Sequence, residues 1–567
     1  MKSTPANNNN NFITHLRDTL LRGGRLTKYK GQLASFAPSL STAICTPTLE
    51  LGQQIGNAIG AQTRKLATGA LTAAMLVVAP TALISTGAQA AAPPHCTGVN
   101  GSYVCSGSAT TTQDLNSGAN PLIITTLPGF NVDTASGSAF TLSSIWSSIS
   151  FSDTNASVIK GQNYGIQQSS GRGSISITSN GSLTGIDGYG LSVGTGASGS
   201  SITIDVAVVS GAGGIHVNGF GSGATNITAT GLVTATSYNG IEAYGSNSTT
   251  GITINAATVT AQTVGIDVDS KGSGAIDITA SGLVTSTAGN GIYADNSSYG
   301  TDLTINATSV AADEFGIRAD NNGKGATSIT ATGDVTSENS YGIYASNDGT
   351  DLTINAASVA AYSTGIHTRN FGTGGVTMIK TTGMISSVAI SGIYTRNDRE
   401  ATDISVTAVD TTGRRHGIKA ANFGKGAITI ISSGTATGTS EIGIHASSTS
   451  TSTDLSITAA DTMGGNFGIN ANNAGSGAIT IVSSGAATGT NYSGIHARNH
   501  GVYGATDLSI TAVETTGKTA GIYARNDGSG ATTIISSGAA TGAKGDGIFA
   551  HNFNTATDLS ITAVDTT

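Results

Sequence analysis

At 567 residues, with 79 glycines and only 10% charged side chains, the chain is glycine-rich and charge-poor beside an average soluble domain. Its 38% hydrophobic content and net charge of −8 exclude a disordered polymer, and glycines without a three-residue period exclude collagen. The acidic balance lacks the basic face that phosphates require, so a nucleic-acid partner is excluded too.

Residues 1–63 read as an N-terminal leader with basic positions Arg17, Arg22, Arg25, Lys28 and Lys30. It is either an extended signal region or the product of a start codon assigned too early. Residues 64–90 read as a secretory signal peptide. Arg64 and Lys65 precede the apolar stretch Ala70 to Ser85, which is short for a membrane span. Ala88-Gln89-Ala90 is a small-x-small cleavage pattern, and a second cut after Ala92 fits equally. Cleavage removes Cys45 and leaves Cys96 and Cys105, which close the loop CTGVNGSYVC. A cysteine pair in an exported chain predicts a disulfide. Residues 91–160 are therefore expected to form a disulfide-containing cap and the first coils.

Residues 161–567 are dominated by a repeat. Sixteen times between Gly165 and Phe549 a Gly is followed by Ile (once Leu), an outward-reading residue and usually a small apolar one. The spacing is 23 to 27 residues, the mark of a stacked architecture. Two half-repeats alternate. One begins Thr-Asp-aliphatic (Asp302, Asp351, Asp403, Asp454, Asp507, Asp558), the other Gly-x-Gly-small (Gly272, Gly323, Gly424, Gly475, Gly528). Inside each coil, apolar and polar residues alternate, as in Leu508, Ile510 and Ala512 against Ser509 and Thr511. That period, with Ile, Val and Thr enriched and Gly, Asn and Asp at the breaks, predicts about three short strands per coil. Residues 100–567 show no helical period. The expected fold is all-β: a right-handed parallel β-helix of about 25-residue coils. At ~4.8 Å per rung, sixteen coils give a rod of roughly 75 Å.

Five residues after the marker Gly stand Asn296, Asn321, Asn347, Asn370, Asn397, Asn422, Asn473, Asn499, Asn526 and Asn552, with Ser448 among them. Stacked amides bond rung to rung, so this column reads as structural, with glycan or ion binding as the functional alternative. The outward marker position carries Tyr293, Arg318, Tyr344, His367, Tyr394, Lys419, His445, Asn470, His496, Tyr523 and Phe549. Arg369, Arg396, Arg498 and Arg525 stand at the next outward position. Neighbouring rungs place these groups for cation–π or ordinary cross-strand packing. The functional alternative is an exposed recognition stripe of Tyr293, Arg318, Tyr344, His367, Tyr394, Arg396, Lys419, Tyr523 and Arg525.

Catalytic chemistry has thin support. The densest irregular cluster is Asp398-Arg399-Glu400 with Arg414-Arg415-His416 one coil later, and such charge runs at turns are normally solvated. The Thr-Asp aspartates read as turn residues. His445 and His496 lie two rungs apart, too far for one zinc ion. Calcium-roll nonapeptides and phosphate loops are absent from the sequence. We expect neither cofactor nor metal, and no enzyme activity.

With its leader before an export signal, its opening CTGVNGSYVCSG followed by TTLPGFNVDTASGSAFTL, and its coils of the type GIYARNDGSGATTIISSGAATG, the chain resembles the passenger domain of an alphaproteobacterial autotransporter. The resemblance spans about residues 64–567. It implies export through the periplasm and display at the outer-membrane surface on a C-terminal β-barrel, with adhesion or self-association as the role. Residues 100–567 lack the aromatic-girdled strands of such a barrel, and the last residues match the interior of an ordinary half-repeat, so the natural protein is expected to continue. The expected partner is a host or bacterial surface ligand, glycan or protein, or a second copy of the chain. A secreted polysaccharide lyase or glycosidase and a structural spacer are the alternatives.

Overall fold

The computed structural model describes residues 95–567 except 197, 198, 399, 502, 503, 554 and 555. The leader, the signal region and both cleavage positions lie outside them. Among the described residues there are 43 strands and no helix. They form a parallel β-solenoid of about 17 turns.

One coil shows how the sequence makes three faces. Ile292–Asn296 forms the first face. Leu303–Ala312 is a single bent strand that supplies the other two. Its first half, Leu303 to Ala307, pairs with Thr327 to Ala331. Its second half, Val310 to Ala312, pairs with Val335 to Ser337, and the register shifts between the halves. Such an irregularity bends a strand, and here it turns the corner between second and third faces. Ile292, Ala294 and Asn296, Leu303, Ile305 and Ala307, and Val310 and Ala312 all point inward and are buried. Each column then stacks on its own kind: Ile292 on Ile317, Ile317 on Ile343, Ile343 on Ile366. The core is one continuous apolar file along the rod.

The marker glycine stands where the third face meets the first. A Cβ on Gly316 would lie 2.5 Å from the Gly342 carbonyl oxygen and 2.5 Å from a Val335 methyl. That carbonyl accepts the Ile317 N–H at 2.8 Å and Val335 is fully buried, so neither neighbour is free to retreat. The regular Gly-Ile signal begins at Gly165, yet the first-face ladder continues below it through Phe140–Ser144 to Gln113–Asn116. In those lower coils Ala139 stands at the corner, and the interior is aromatic. Phe140 packs 5.9 Å from Phe130 and 5.2 Å from Phe151.

The two-coil unit has a local cause. Asp302 Oδ1 accepts the Ala326 N–H of the next coil at 2.8 Å. Asp403, Asp454 and Asp507 hold Ala427, Ala478 and Ala531 in the same way, at 2.7 to 2.8 Å. The carboxylate occupies the volume of a missing side chain. A Cβ on Gly325, Gly426, Gly477 or Gly530 would lie 2.2 to 2.3 Å from the aspartate oxygen. An Asp coil therefore demands a Gly coil above it.

At the N-terminal end, Cys96–Val99 and Ser102–Cys105 form an antiparallel hairpin. Its turn residues Asn100 and Gly101 have φ of 54° and 84°, the left-handed pair that a two-residue hairpin requires. Cys96 and Cys105 face each other across it and are disulfide-bonded. Ser102–Cys105 then pairs in parallel with Ile123 to Thr126, so among the described residues Cys96–Val99 is the outermost strand at this end. An outer antiparallel strand of this kind occupies an edge that would otherwise offer unpaired backbone groups.

Candidate functional site

The outward residues of the first face form an unbroken file. Tyr293 pairs with Arg318, then Tyr344, His367, Tyr394, Lys419, His445, Asn470, His496, Tyr523 and Phe549 follow on successive rungs. The structure brings every stripe residue named from the sequence into this file or the adjacent outward column. Arg318 lies 5.2 Å from the Tyr293 ring centre and 5.9 Å from that of Tyr344. Tyr344, His367 and Tyr394 continue at 5.3 and 4.8 Å between rings, and Lys419 Nζ lies 5.3 Å from Tyr394. Higher up, His496, Tyr523 and Phe549 stack nearly parallel at 4.8 and 4.9 Å. Arg396 and Arg525 pair with Asp398 and Asp527 two residues on, and each guanidinium also covers a phenylalanine, Phe423 and Phe553 respectively.

Four histidines of this face, His367, His416, His445 and His496, are held neutral. Burial pushes His367 down to about 4, helped by the Arg369 charge. Burial does the same to His445 and His496, each to about 4, helped by Lys419 and by Arg498 with His500. His416 falls to about 3 through burial and the charges of His445 and Lys419, against a smaller opposing pull from Glu441. The positive charge of the stripe is thus carried by arginine and lysine. Lys419 itself is lowered by burial and by Arg415.

The position just before the marker glycine, which follows no regular pattern in the sequence, shapes the surface. Phe315 and Tyr341 stack there at 5.4 Å, while His416, Ile442 and Phe467 fill it on successive rungs above. Between them stand two small residues, Thr364 and Ser391. Two short side chains between bulky walls leave a groove of about 260 Å³. Tyr341, His367, Tyr394, Arg415, His416 and Lys419 surround it.

The amide column forms only part of the expected ladder. Asn296 donates to Asn321 at 3.1 Å, Asn321 to Asn347 at 3.3 Å and Asn347 to Asn370 at 3.2 Å. Asn473 donates to Asn499 at 3.2 Å. Asn397, Asn422, Asn526 and Asn552 instead donate to carbonyls of the corner between first and second faces, such as Asp403, Gly426, Gly530 and Asp558. The amides are buried apart from that of Asn552. They clamp the corner.

The irregular charge cluster is dispersed. Asp398 pairs with Arg396, Glu400 with Lys425 at 3.1 Å, and Arg415 and His416 with Glu441 at 2.8 and 3.4 Å. Arg399 lies outside the described residues. A tighter set, unnoticed from the sequence, lies lower on the same face. Glu242 accepts from Tyr189 at 2.9 Å and pairs with His216 at 3.0 Å. Burial raises Glu242, but its bonds to His216 and Tyr189 outweigh that and hold it below the usual range. Its rung neighbour Asp267 is pushed up to about 6 by burial and the Glu242 and Asp269 charges. Tyr189 reaches this set from two rungs away, which is why spacing along the chain hid it.

No protein family, curated protein or solved structure matches this chain.

Proposed function

We propose that this protein is a non-catalytic surface rod, the passenger of an autotransporter, that binds a host or bacterial surface or a second copy of itself. Export through the periplasm to the outer-membrane surface belongs to the same reading and rests on the signal-like segment before the solenoid. The observation that carries the binding role is the outward file from Tyr293 to Phe549. Aromatic and cationic groups recur on consecutive rungs of a rigid frame. Repeated weak contacts along such a frame add into avidity without a single deep pocket. The test is adhesion of beads carrying the rod to bacterial and host cells, with Tyr344, Tyr394 and Arg396 replaced together by alanine. Adhesion should fall at least tenfold. Unchanged adhesion by a folded triple variant would show that the stripe is not the binding surface.

A second reading, carbohydrate-active enzyme, has one observation behind it. Glu242 and Asp267 are rung neighbours with opposed proton affinities, the pattern of an acid beside a nucleophile. Turnover of pectin or related glycans that Glu242→Gln abolishes would favour it over the rod.

A further inference from the structure

We propose that the groove over Thr364 and Ser391 is a binding site for acidic polysaccharide. This rests on the binding-rod reading and names a ligand class for one segment of the stripe.

The argument begins with shape. The groove runs along the rod axis, from the Tyr341 ring at one end to the His416 ring at the other. The intervening corner residues follow rung by rung, since the Gly342 N–H donates to Thr364 and the Gly365 N–H to Ser391, both at 3.1 Å. Three rung spacings make it roughly 14 Å long. That is a trough for a few units of a linear polymer rather than a cup for one small molecule.

Its lining is chemically mixed. Tyr394 offers a ring on the wall, 4.8 Å from that of His367, and Tyr341 stands edge-on to His367 at 5.2 Å. Sugar rings have apolar faces that lie against aromatic rings, and hydroxyls that pair with polar groups such as Lys419 and Arg415 at the border, while Thr364 and Ser391 are buried and form the floor. His416 is 3% exposed and bonds Ser391 Oγ through Nδ1 at 3.3 Å, which fixes the floor. Being neutral, the histidines add no charge.

Charge then selects the ligand. Lys419 and Arg415 border the groove. Glu441 is the acid nearest to them, and it is engaged by Arg415 at 2.8 Å. Lys419 faces the Tyr394 ring and has no carboxylate within ion-pair distance among the described residues. Arg369 stands on the adjacent outward column over Phe371 at 4.9 Å. A cationic segment on a chain of net charge −8 is selective for an anion. A peptide fits less well. Strand addition needs a free sheet edge, and the backbone of these rungs is bonded to the coils on either side.

The experiment is calorimetric titration of the whole chain with oligogalacturonate and with a sulfated heparin-type oligosaccharide. Neutral dextran and poly-glutamate are the comparisons. Either acidic saccharide should bind, and Lys419→Glu or Tyr394→Ala should weaken that at least tenfold while Tyr299→Ala, on an exposed corner turn off the stripe, leaves it within twofold. In the unmodified chain the bound saccharide should also protect the Lys419 amine from acetylation, a readout that needs no variant to fold. Absence of binding by both acidic saccharides, equal binding of dextran or poly-glutamate, or acetylation of Lys419 unchanged by the ligand would each overturn the proposal. If bead adhesion persists while acidic saccharides fail to bind, the ligand class falls and the rod reading stands. If saccharide binds at Lys419 but beads adhere to nothing, the site stands and the adhesive role falls.

Discussion

At the scale of single residues, the solenoid is governed by positions where a side chain has no room or a polar group has no water. Gly316 is the clearest of the first kind, with a carbonyl and a valine methyl both 2.5 Å from where a Cβ would stand. Gly316→Ala should destabilise the surrounding coils by roughly 1–3 kcal/mol through overpacking, read from denaturant midpoints. An unchanged midpoint would mean the corner opens freely. Asn347 is the second kind. Its amide donates to Thr350, Asp351 and Asn370 and accepts from Asn321 and Thr327, all at 2.8 to 3.3 Å. Asn347→Ala should cost roughly 1–3 kcal/mol for each buried group left unpaired. Hydrogen exchange should show the loss concentrated in the Asp348 to Asp351 corner, and uniform exchange would show that the amide is dispensable. The Asn column was visible in the sequence because its spacing is regular. Whether an amide bonds the next rung or its own corner was not, because that depends on where Ser448, Thr327 or Thr377 compete for the same atoms.

Elements here are coils, and each depends chiefly on the one before and the one after. The capping hairpin is the exception, with its outer strand at one end. Replacing Cys96 and Cys105 by serine should remove roughly 2–3 kcal/mol of constraint on a loop of this length. Faster hydrogen exchange is expected in Ser102–Cys105 and Leu122–Thr126 but not in coils beyond Gly165. Equal acceleration along the whole rod would show instead that the cap governs global folding. Coil deletion tests the alternation of Asp and Gly starts. Removing residues 303–351 joins Asp302 to Leu352, an equivalent junction, so an Asp start still lies beneath the Gly coil that follows. The shortened rod should fold and lose about 10 Å of length. Removing residues 303–326 alone sets the Asp302 start directly beneath the Asp351 start, and should give a less soluble, less protected product. Equal stability of the two deletions would refute the pairing of Asp carboxylate with Gly.

For the molecule as a whole, the buried histidines make stability depend on pH. His367, His416, His445 and His496 are neutral in the fold down to about 4, 3, 4 and 4, whereas in the unfolded chain they take up protons near 6.5. The unfolded state therefore binds more protons between those values. Stability is full above about 6.5 and declines as pH falls toward 4, on the order of 1–3 kcal/mol per histidine. Asp267, raised to about 6, works in the opposite sense, since its protonation on acidification relieves an unfavourable buried charge. Burial raises Asp320 as well and lowers His500, so five groups against two leave a net loss. Urea unfolding at pH 7 and pH 5 should show it, and His496→Gln should reduce the difference. A rod equally stable at both values would contradict the neutral assignment.

How much was legible depended on range. Period-two alternation, the Gly-Ile marker and the Asn spacing are local or strictly periodic, and from them the parallel solenoid and the outward file from Tyr293 to Phe549 follow directly. Periodicity alone determines which residues share a face, because every rung repeats the pleat of the last. The lower coils escaped the marker where Ala139 replaces glycine and phenylalanines replace isoleucine, although the backbone pairing is the same. The groove over Thr364 and Ser391, the Tyr189–Glu242–His216 contacts and the reach of each Asp carboxylate into the coil above were decided only by the tertiary structure. Each depends on side-chain volume or hydrogen-bond geometry between residues 24 to 53 positions apart, and stacking alone brings those within contact distance.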